Sequence, residues 1–189
     1  PVLSDGSHAV CGCVATAMSQ VMRYHRFPAQ PKVVTRTCYV QASTAKTRAD
    51  ATKDLTTAGE KYAWDDMPLV PDDGATDAQC KAIGRLTSDA GISVCMSYDT
   101  TAKGGSGAFL FNVAKALTGT FGYANACYYR SDDGVTASER AMRNALLANF
   151  DAGYPVLMGI SGDGGHAIVG DGYGYKDDRL YVHLNMGWS

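Results

Sequence analysis

Three short β-type segments near the end of the chain constrain its fold more than any other feature. They cover PVLMGI (155–160), HAIVGDGYGY (166–175) and RLYVHLN (179–185), and turns that contain Gly or Asp separate them. Short strands joined by such turns pair most simply as antiparallel neighbours. The sequence therefore predicts an antiparallel sheet in the second half of the chain.

The hydrophobic period is helical in the first part of the chain. In CGCVATAMSQVMRYHRF (11–27), apolar residues recur at positions i, i+3, i+4 and i+7 from Val14 onwards. This pattern predicts an amphipathic helix that ends before Phe27-Pro28.

Capping boxes at TDAQ (76–79) and TASE (136–139) predict two more helices, which end at Gly91 and Gly153. A further helix is predicted over about 108–118, after a Gly-rich loop. Residues 92–98 alternate in the way a strand does, and residues 29–60 support no assignment. Helices in front of an antiparallel sheet indicate the α+β class.

Composition limits the classes of function. The chain has 189 residues, the size of one domain, and 46% of them are apolar, which is enough for a core. With 17 basic and 19 acidic side chains, the net charge of -2 gives no electrostatic footprint for nucleic acid. No apolar run approaches the roughly 18 residues of a membrane span. The start at Pro1, without a signal-peptide pattern, leads us to expect a mature or excised fragment.

Cys11 and Cys13 lie one glycine apart at the start of the first predicted helix. A thiol at a helix N-terminus experiences the helix dipole and unpaired backbone N–H groups, which favour the thiolate over the thiol. Cys13 occupies that position, whereas Cys11 lies outside the helix. Cys13 is therefore the candidate nucleophile.

A thiolate nucleophile needs an imidazole that holds its proton and later delivers it to a leaving group. His8 lies in an irregular segment, and His25 is three helical turns, or about 18 Å, from Cys13. His166 begins an apolar strand directly after two glycines. The number of residues between Cys13 and His166 is close to the roughly 130–150 that separate the cysteine and the histidine of papain-type enzymes.

The imidazole also needs an orienting group. Asn185 lies on the next predicted strand, which an antiparallel turn would bring beside His166. We expect the Cys13 sulfur within roughly 3–4 Å of one ring nitrogen and Asn185 near the other nitrogen.

Other interpretations of these residues remain. Cys11 could belong to a disulfide, or the Cys-x-Cys pair could be half of a metal site, although zinc sites usually show Cys-x-x-Cys or His-x(3–5)-His spacings that this sequence lacks. GDGYG (170–174) opens no helix, so the context of a nucleotide-binding motif is absent. Without a partner cysteine, His166 would be an ordinary residue at a sheet edge.

A series of segments resembles the streptopain family of secreted bacterial cysteine peptidases. They occur in the family's order over nearly the whole chain: GCVATAMSQVMRYHRFP (12–28), YAWDDMP (62–68), DAGISVCMSYD (89–99), FGY (121–123), GYPVLMGISGDGGHAIVGDGYGY (153–175) and YVHLNMGWS (181–189). The resemblance implies a papain-like fold, in which a helical half with the nucleophile helix packs on an antiparallel sheet half. It also implies one catalytic domain over residues 1–189, trimmed at one or both ends.

The resemblance implies roles for single residues. The family's nucleophile falls on Cys13 and its catalytic histidine on His166. Asn185 and Trp188 fall where the family's residues support and shield that histidine. At position 186 the family commonly carries Trp, and this chain has Met186.

The resemblance further implies where a peptide substrate lies. The Gly/Ser loop, with Gly105, Ser106 and Gly107, corresponds to a wall of the pocket for the substrate residue before the scissile one. Gly165 corresponds to a position beside the bound peptide.

The sequence thus predicts a cysteine endopeptidase that forms an acyl-enzyme on Cys13 and needs no metal or organic cofactor. Its expected partners are protein or peptide substrates and an inhibitory propeptide in the precursor, and the family implies secretion or a bacterial cell-surface location. Two alternatives are a cell-wall amidase with the same Cys–His pair and a catalytically incomplete peptide-binding module.

Overall fold

The structure is a computed structural model that describes residues 1–3, 6–40, 51–130 and 138–187. In chain order, the helices and strands of this part are α1 (Cys13–His25), β1 (Thr35–Tyr39), β2 (Thr52–Thr56), α2 (Asp77–Ser93), α3 (Phe111–Gly119), α4 (Glu139–Asp151), β3 (Val156–Ser161), β4 (Gly165–Lys176) and β5 (Arg179–Asn185). Helices dominate the front of the chain and strands the back, which confirms the α+β prediction.

The three predicted C-terminal strands form one antiparallel sheet in the order β3-β4-β5. In its register, His166 lies opposite Ile160 on β3, and Val169 lies opposite Asn185 on β5. β4 is therefore the central strand, and residues 167–170 on it are buried. The prediction of an antiparallel sheet is confirmed.

Helix α1 packs its apolar face against this sheet. Val14, Ala17 and Met18 of the helix belong to the same buried cluster as Ala167 and Val169 of β4. The helix begins at Cys13 and ends at His25, before a left-handed Arg26. The contact between α1 and β4 joins the helix that carries the candidate nucleophile to the strand that carries the candidate histidine.

Helix α2 begins as predicted and ends later. Thr76 and Gln79 form the reciprocal capping box, in which each side chain bonds the other residue's backbone N–H. The helix continues to Ser93, two residues beyond the predicted end at Gly91.

The strand predicted over residues 92–98 is wrong. Ile92 and Ser93 belong to α2, and only isolated bridges follow, between Ser97 and Gly107 and between Tyr98 and Val40. The alternation has another cause: every second side chain from 92 to 98 is buried in the core, and Cys95 turns outward with a φ of 55°.

The other elements differ from the predictions at their ends. Helix α3 begins at Phe111 instead of about 108. The N-cap of α4 is Ser138, whose side chain accepts a hydrogen bond from Ala141 N, whereas the predicted cap at Thr136 lies outside the described residues. Strands β1 and β2 pair antiparallel in a region where the sequence supported no assignment.

The described ranges contain no helix with the length and apolar character needed to cross a membrane.

Candidate active site

Cys13 is the first residue of α1 and is half-buried with a free thiol. The preceding Gly12 has φ 83° and ψ 146°, a backbone conformation that glycine adopts far more easily than other residues. The helical hydrogen-bond ladder starts with Thr16 N, which donates to Gly12 O at 3.1 Å. The N–H groups of residues 13–15 therefore have no carbonyl of the helix to bond, which leaves donors next to the Cys13 sulfur.

The Gly/Ser loop lies directly against the start of α1. A Cβ built on Gly12 would lie 2.7 Å from Ser106 O and 3.0 Å from Met96 Sδ. Only a residue without a side chain allows this approach, so glycine at position 12 serves packing as well as backbone geometry.

The Ser106 side chain holds the loop to the segment before the helix. Its hydroxyl donates to Val10 O at 2.6 Å and accepts from Asp99 N at 2.9 Å. Val10 N in turn donates to Asp99 O at 3.1 Å. Since the Ser106 hydroxyl is buried and bonded internally, the loop can meet a substrate only through its backbone and its glycines.

Two of those glycines differ in their surroundings. Gly105 has a φ of 78°, and a Cβ there would meet only Val10 Cγ2, at 3.8 Å. Gly107 is exposed and exchanges two backbone hydrogen bonds with Ser97, at 2.9 and 3.0 Å. The loop is therefore well fixed on the protein side and open on its other side at Gly107.

His166 stands at the start of β4, next to the exposed Gly165, at which an added Cβ would meet no atom of the described residues within 4 Å. Its Nε2 lies 2.9 Å from the main-chain carbonyl oxygen of Met186. A carbonyl oxygen can only accept, so the hydrogen bond places the proton of the neutral ring on Nε2.

The Asn185 side chain, expected at the ring, has other partners. Its Oδ1 accepts hydrogen bonds from Gly187 N at 2.9 Å and from Gln20 Nε2 at 3.1 Å. The register pairs Asn185 with Val169, three residues along β4 from His166, which places Met186 nearer to the ring. Asn185 thus shapes the turn at residues 185–187, and Met186 supplies the oxygen. Trp188 lies outside the described residues.

All six cysteines are free, so the disulfide considered for Cys11 is absent. The exposed Cys11 sulfur lies 3.4 Å from Thr16 Oγ1. His25 packs edge-on against Tyr24, Tyr123 and Tyr154, and burial lowers its pKa, as suits a structural role.

Sequence reasoning missed three contributors around the histidine: Thr16, Gln20 and the Met186 carbonyl. Thr16 and Gln20 occupy the helix face that carries Cys13, and helical spacing from Cys13 could have found them. The Met186 carbonyl could not be recognised from the sequence, because every residue has a main-chain carbonyl.

Comparison with known proteins identifies the family of the chain. Residues 1–189 match the model of the peptidase C10 family. The chain belongs to the peptidase C10 family. The expectation of a cysteine-type peptidase is thereby confirmed at the level of the family.

Two C10 relatives illustrate the sequence similarity. The thiol protease/hemagglutinin PrtT of Porphyromonas gingivalis is 32% identical over 199 residues, and streptopain of Streptococcus pyogenes is 34% identical over 188 residues. The alignments cover 100% and 97% of this chain, but only 20% of PrtT and 44% of streptopain. The chain therefore spans less than half the length of either relative.

Two solved structures from Prevotella intermedia share the fold. Active wild-type interpain A, a cysteine protease, superposes with a TM-score of 0.77 at 23% identity over 100% of this chain and 74% of that chain. A mutant fragment of prointerpain A gives the same TM-score at 24% identity and is covered to 56%. These similarities confirm the papain-like fold.

Proposed function

We propose that this C10 chain is a cysteine endopeptidase with Cys13 as its nucleophile and His166 as its general acid and base. One observation supports this above the others. The turn at residues 185–187 touches the helix that begins with Cys13 and also holds the His166 ring through Met186 O at 2.9 Å. A free thiol at a helix start and an oriented imidazole on the adjoining strand are the two parts that thiol acyl transfer requires.

The order of proton transfers follows from the tautomer. Because the Met186 carbonyl holds the Nε2 proton of His166, Nδ1 is the nitrogen that exchanges a proton with Cys13. The Cys13 thiolate attacks the carbonyl carbon of a peptide bond, and a tetrahedral intermediate forms. The protonated imidazole gives its proton to the departing amine, and an acyl-enzyme remains.

Hydrolysis of the acyl-enzyme reverses these roles. His166 removes a proton from water, the resulting hydroxide attacks the thioester carbon, and the Cys13 thiolate leaves. In both steps the negative oxygen is stabilised by the Cys13 backbone N–H, which the helix leaves unpaired.

The peptide substrate is proposed to lie between the Gly/Ser loop and Gly165. Gly107 is exposed at the edge of the loop, and Gly165 is exposed beside His166 with open space where a side chain would be. An extended peptide can approach such backbone closely and bond to it as an added strand does. Gly105 and the backbone of Ser106 would form the wall near Cys13.

The chain is further proposed to act as the catalytic domain of a secreted bacterial protein that is made with an inhibitory propeptide. One solved structure with the same fold is of a pro-form, a fragment of prointerpain A from Prevotella intermedia. Separating the culture medium from the cells and sizing the product in each fraction would test this: a larger, inactive precursor and a smaller, active product in the medium are expected, and an enzyme retained in the cells would contradict it.

The decisive test of the proposed activity compares substrates and variants. Wild-type protein should hydrolyse casein and release new amino termini, and Cys13→Ala and His166→Ala should each abolish this. Release of amino groups from peptidoglycan but not from casein would identify a cell-wall amidase instead. Peptide binding without turnover would identify a binding module.

A further inference from the structure

One face of α1 carries Cys13, Thr16 and Gln20. Residues three, four and seven positions apart lie on the same side of an α-helix, so these side chains form one row that extends about 10 Å from the nucleophile. All three are half-buried. The row faces the turn at residues 185–187.

Two contacts join the row to the turn. Gln20 Nε2 donates to Asn185 Oδ1 at 3.1 Å, and a Cβ built on Gly187 would lie only 3.4 Å from Thr16 Cγ2. The orientation of the two amides is fixed by the backbone. Gly187 N donates to the same Asn185 oxygen at 2.9 Å, so that atom must be the acceptor and the Gln20 atom facing it must be the donor.

Met186 lies between these two fixed points, and its carbonyl oxygen meets His166 Nε2 at 2.9 Å. The position of that oxygen depends on how the turn is held. The helix that presents the nucleophile therefore also holds the group that orients the histidine.

Stability does not account for the choice of Gln20. Its other polar atom, Oε1, is buried and has no hydrogen-bond partner among the residues that the structure describes, and an unpaired buried amide oxygen disfavours folding. An apolar side chain of the same length would fill the space without this penalty.

We infer that Gln20 is a positioning residue that holds the Asn185–Gly187 turn, and through it the Met186 carbonyl, so that His166 keeps its Nε2–H tautomer. The expected change in kcat rests on the proposed function, in which His166 is catalytic. The structural consequence, the ring tautomer, can be measured without any substrate.

The test replaces Gln20 with Met, which has similar length and no hydrogen-bonding amide. The matched control is Tyr24→Phe, which removes a different hydrogen bond of the same helix, from Tyr24 Oη to Gly153 O at 2.6 Å. Three quantities are compared in both variants and the wild type: the free energy of unfolding, kcat and KM on a peptide, and the His166 tautomer from ring 15N chemical shifts. The tautomer is measured on the neutral ring in a Cys13→Ala background, because an imidazolium paired with a thiolate carries a proton on both nitrogens.

Gln20→Met should be as stable as the wild type or more stable, because the orphaned oxygen is gone. Its kcat should nevertheless fall about three- to tenfold, the effect of one lost hydrogen bond, with KM within about twofold. The population of the Nε2–H tautomer should fall with it. Tyr24→Phe should lower stability and leave kcat and the tautomer unchanged.

A second variant keeps the inference testable if Gln20→Met fails to fold. Gln20→Glu has the same shape but places an acceptor against Asn185 Oδ1 at neutral pH, so it should disturb the tautomer more than Met does. A wild-type tautomer in either folded variant would overturn the inference. The activity of Cys13→Ala tests the proposed function independently of the tautomer. Failure of this inference and failure of the proposed activity are therefore distinguishable.

Discussion

His166 Nε2 and the main-chain carbonyl oxygen of Met186 lie 2.9 Å apart. The acceptor at Nε2 is thus a backbone oxygen. Because any residue can supply a carbonyl, this contact does not depend on the side chain at position 186.

The first prediction distinguishes the effect of the Asn185 side chain on kcat from that of the Met186 side chain. Asn185→Ala removes the acceptor for Gly187 N and Gln20 Nε2, and kcat should fall about tenfold or more. Asn185→Asp keeps an acceptor for both donors and should retain activity within about threefold. Met186→Ala keeps the carbonyl and should also retain activity within about threefold. Equal loss in Asn185→Ala and Asn185→Asp would show that the amide group itself, and not its acceptor oxygen, is needed.

The second prediction distinguishes the two neighbouring thiols. Only Cys13 stands at the helix start, and Cys11 is exposed with a weak contact to Thr16 Oγ1 at 3.4 Å. Cys13→Ala should lower kcat/KM at least about a thousandfold, as removal of a nucleophile does. Cys11→Ala should stay within about twofold of the wild type. Comparable losses in assays of both variants would mean that the sulfurs act as a structural unit.

The third prediction concerns the glycine before the nucleophile. Gly12→Ala forces a side chain into a φ of 83° and to within 2.7 Å of Ser106 O, a backbone atom that has little room to move. It should destabilise the protein by about 2–5 kcal/mol in urea unfolding. The control is Gly119→Ala at the end of α3, where a Cβ meets no atom within 4 Å, and it should be neutral or stabilising by up to about 1 kcal/mol. Equal stability of the two variants would refute the packing role of Gly12.

The fourth prediction is a pH dependence of stability that originates away from the active site. The Asp89 carboxyl is buried and accepts hydrogen bonds from Ala58 N at 2.8 Å and Tyr62 Oη at 2.9 Å. Burial raises the pKa of Asp89 above its ordinary value of 3.8, against the opposing effects of those donors and of Arg85. The stability that the protonated form contributes is therefore fully present below 3.8 and is lost as pH rises through the higher folded-state pKa.

Asp89→Asn removes this titration and can still bond both neighbours, with Tyr62 as acceptor. From about pH 4 to about pH 7, the free energy of unfolding of the wild type should fall relative to that of Asp89→Asn. Denaturant unfolding of both proteins across this range measures the difference. If the free energy of unfolding of the wild type instead increases relative to that of Asp89→Asn as pH rises, the two hydrogen-bond donors outweigh burial and stabilise the anion.

Local signals made most of the fold predictable. The helical period of α1, the Thr76–Gln79 capping box and the turn-separated C-terminal strands each depend on neighbours in sequence, and each is confirmed. The strand prediction at 92–98 was wrong because irregular backbone with alternately buried side chains shows the same alternation of apolar and polar residues as a strand. The pairing of β1 with β2 depends on contacts between distant residues, which no local period announces.

The candidate nucleophile and the candidate histidine could be named from the sequence, but the groups that contact the histidine and its turn could not. A cysteine at a helix start and a histidine after two glycines are side-chain signals, so Cys13 and His166 could be named. The Met186 carbonyl belongs to the backbone, and Gln20 looks like any polar residue on an amphipathic helix. Their roles follow only from the register between β4 and β5 and from the packing of α1 on the turn.

The nucleophile can be identified directly by alkylating it with a substrate-like reagent and locating the thioether that forms. The protein is treated with a peptide that carries a thiol-reactive epoxide, and the modified residue and the rate of labelling are determined by mass spectrometry. One adduct is expected, on Cys13, and labelling should be at least about tenfold slower in His166→Ala, because the imidazole no longer holds the thiol proton. An adduct on another cysteine, or equal labelling rates with and without His166, would contradict the account.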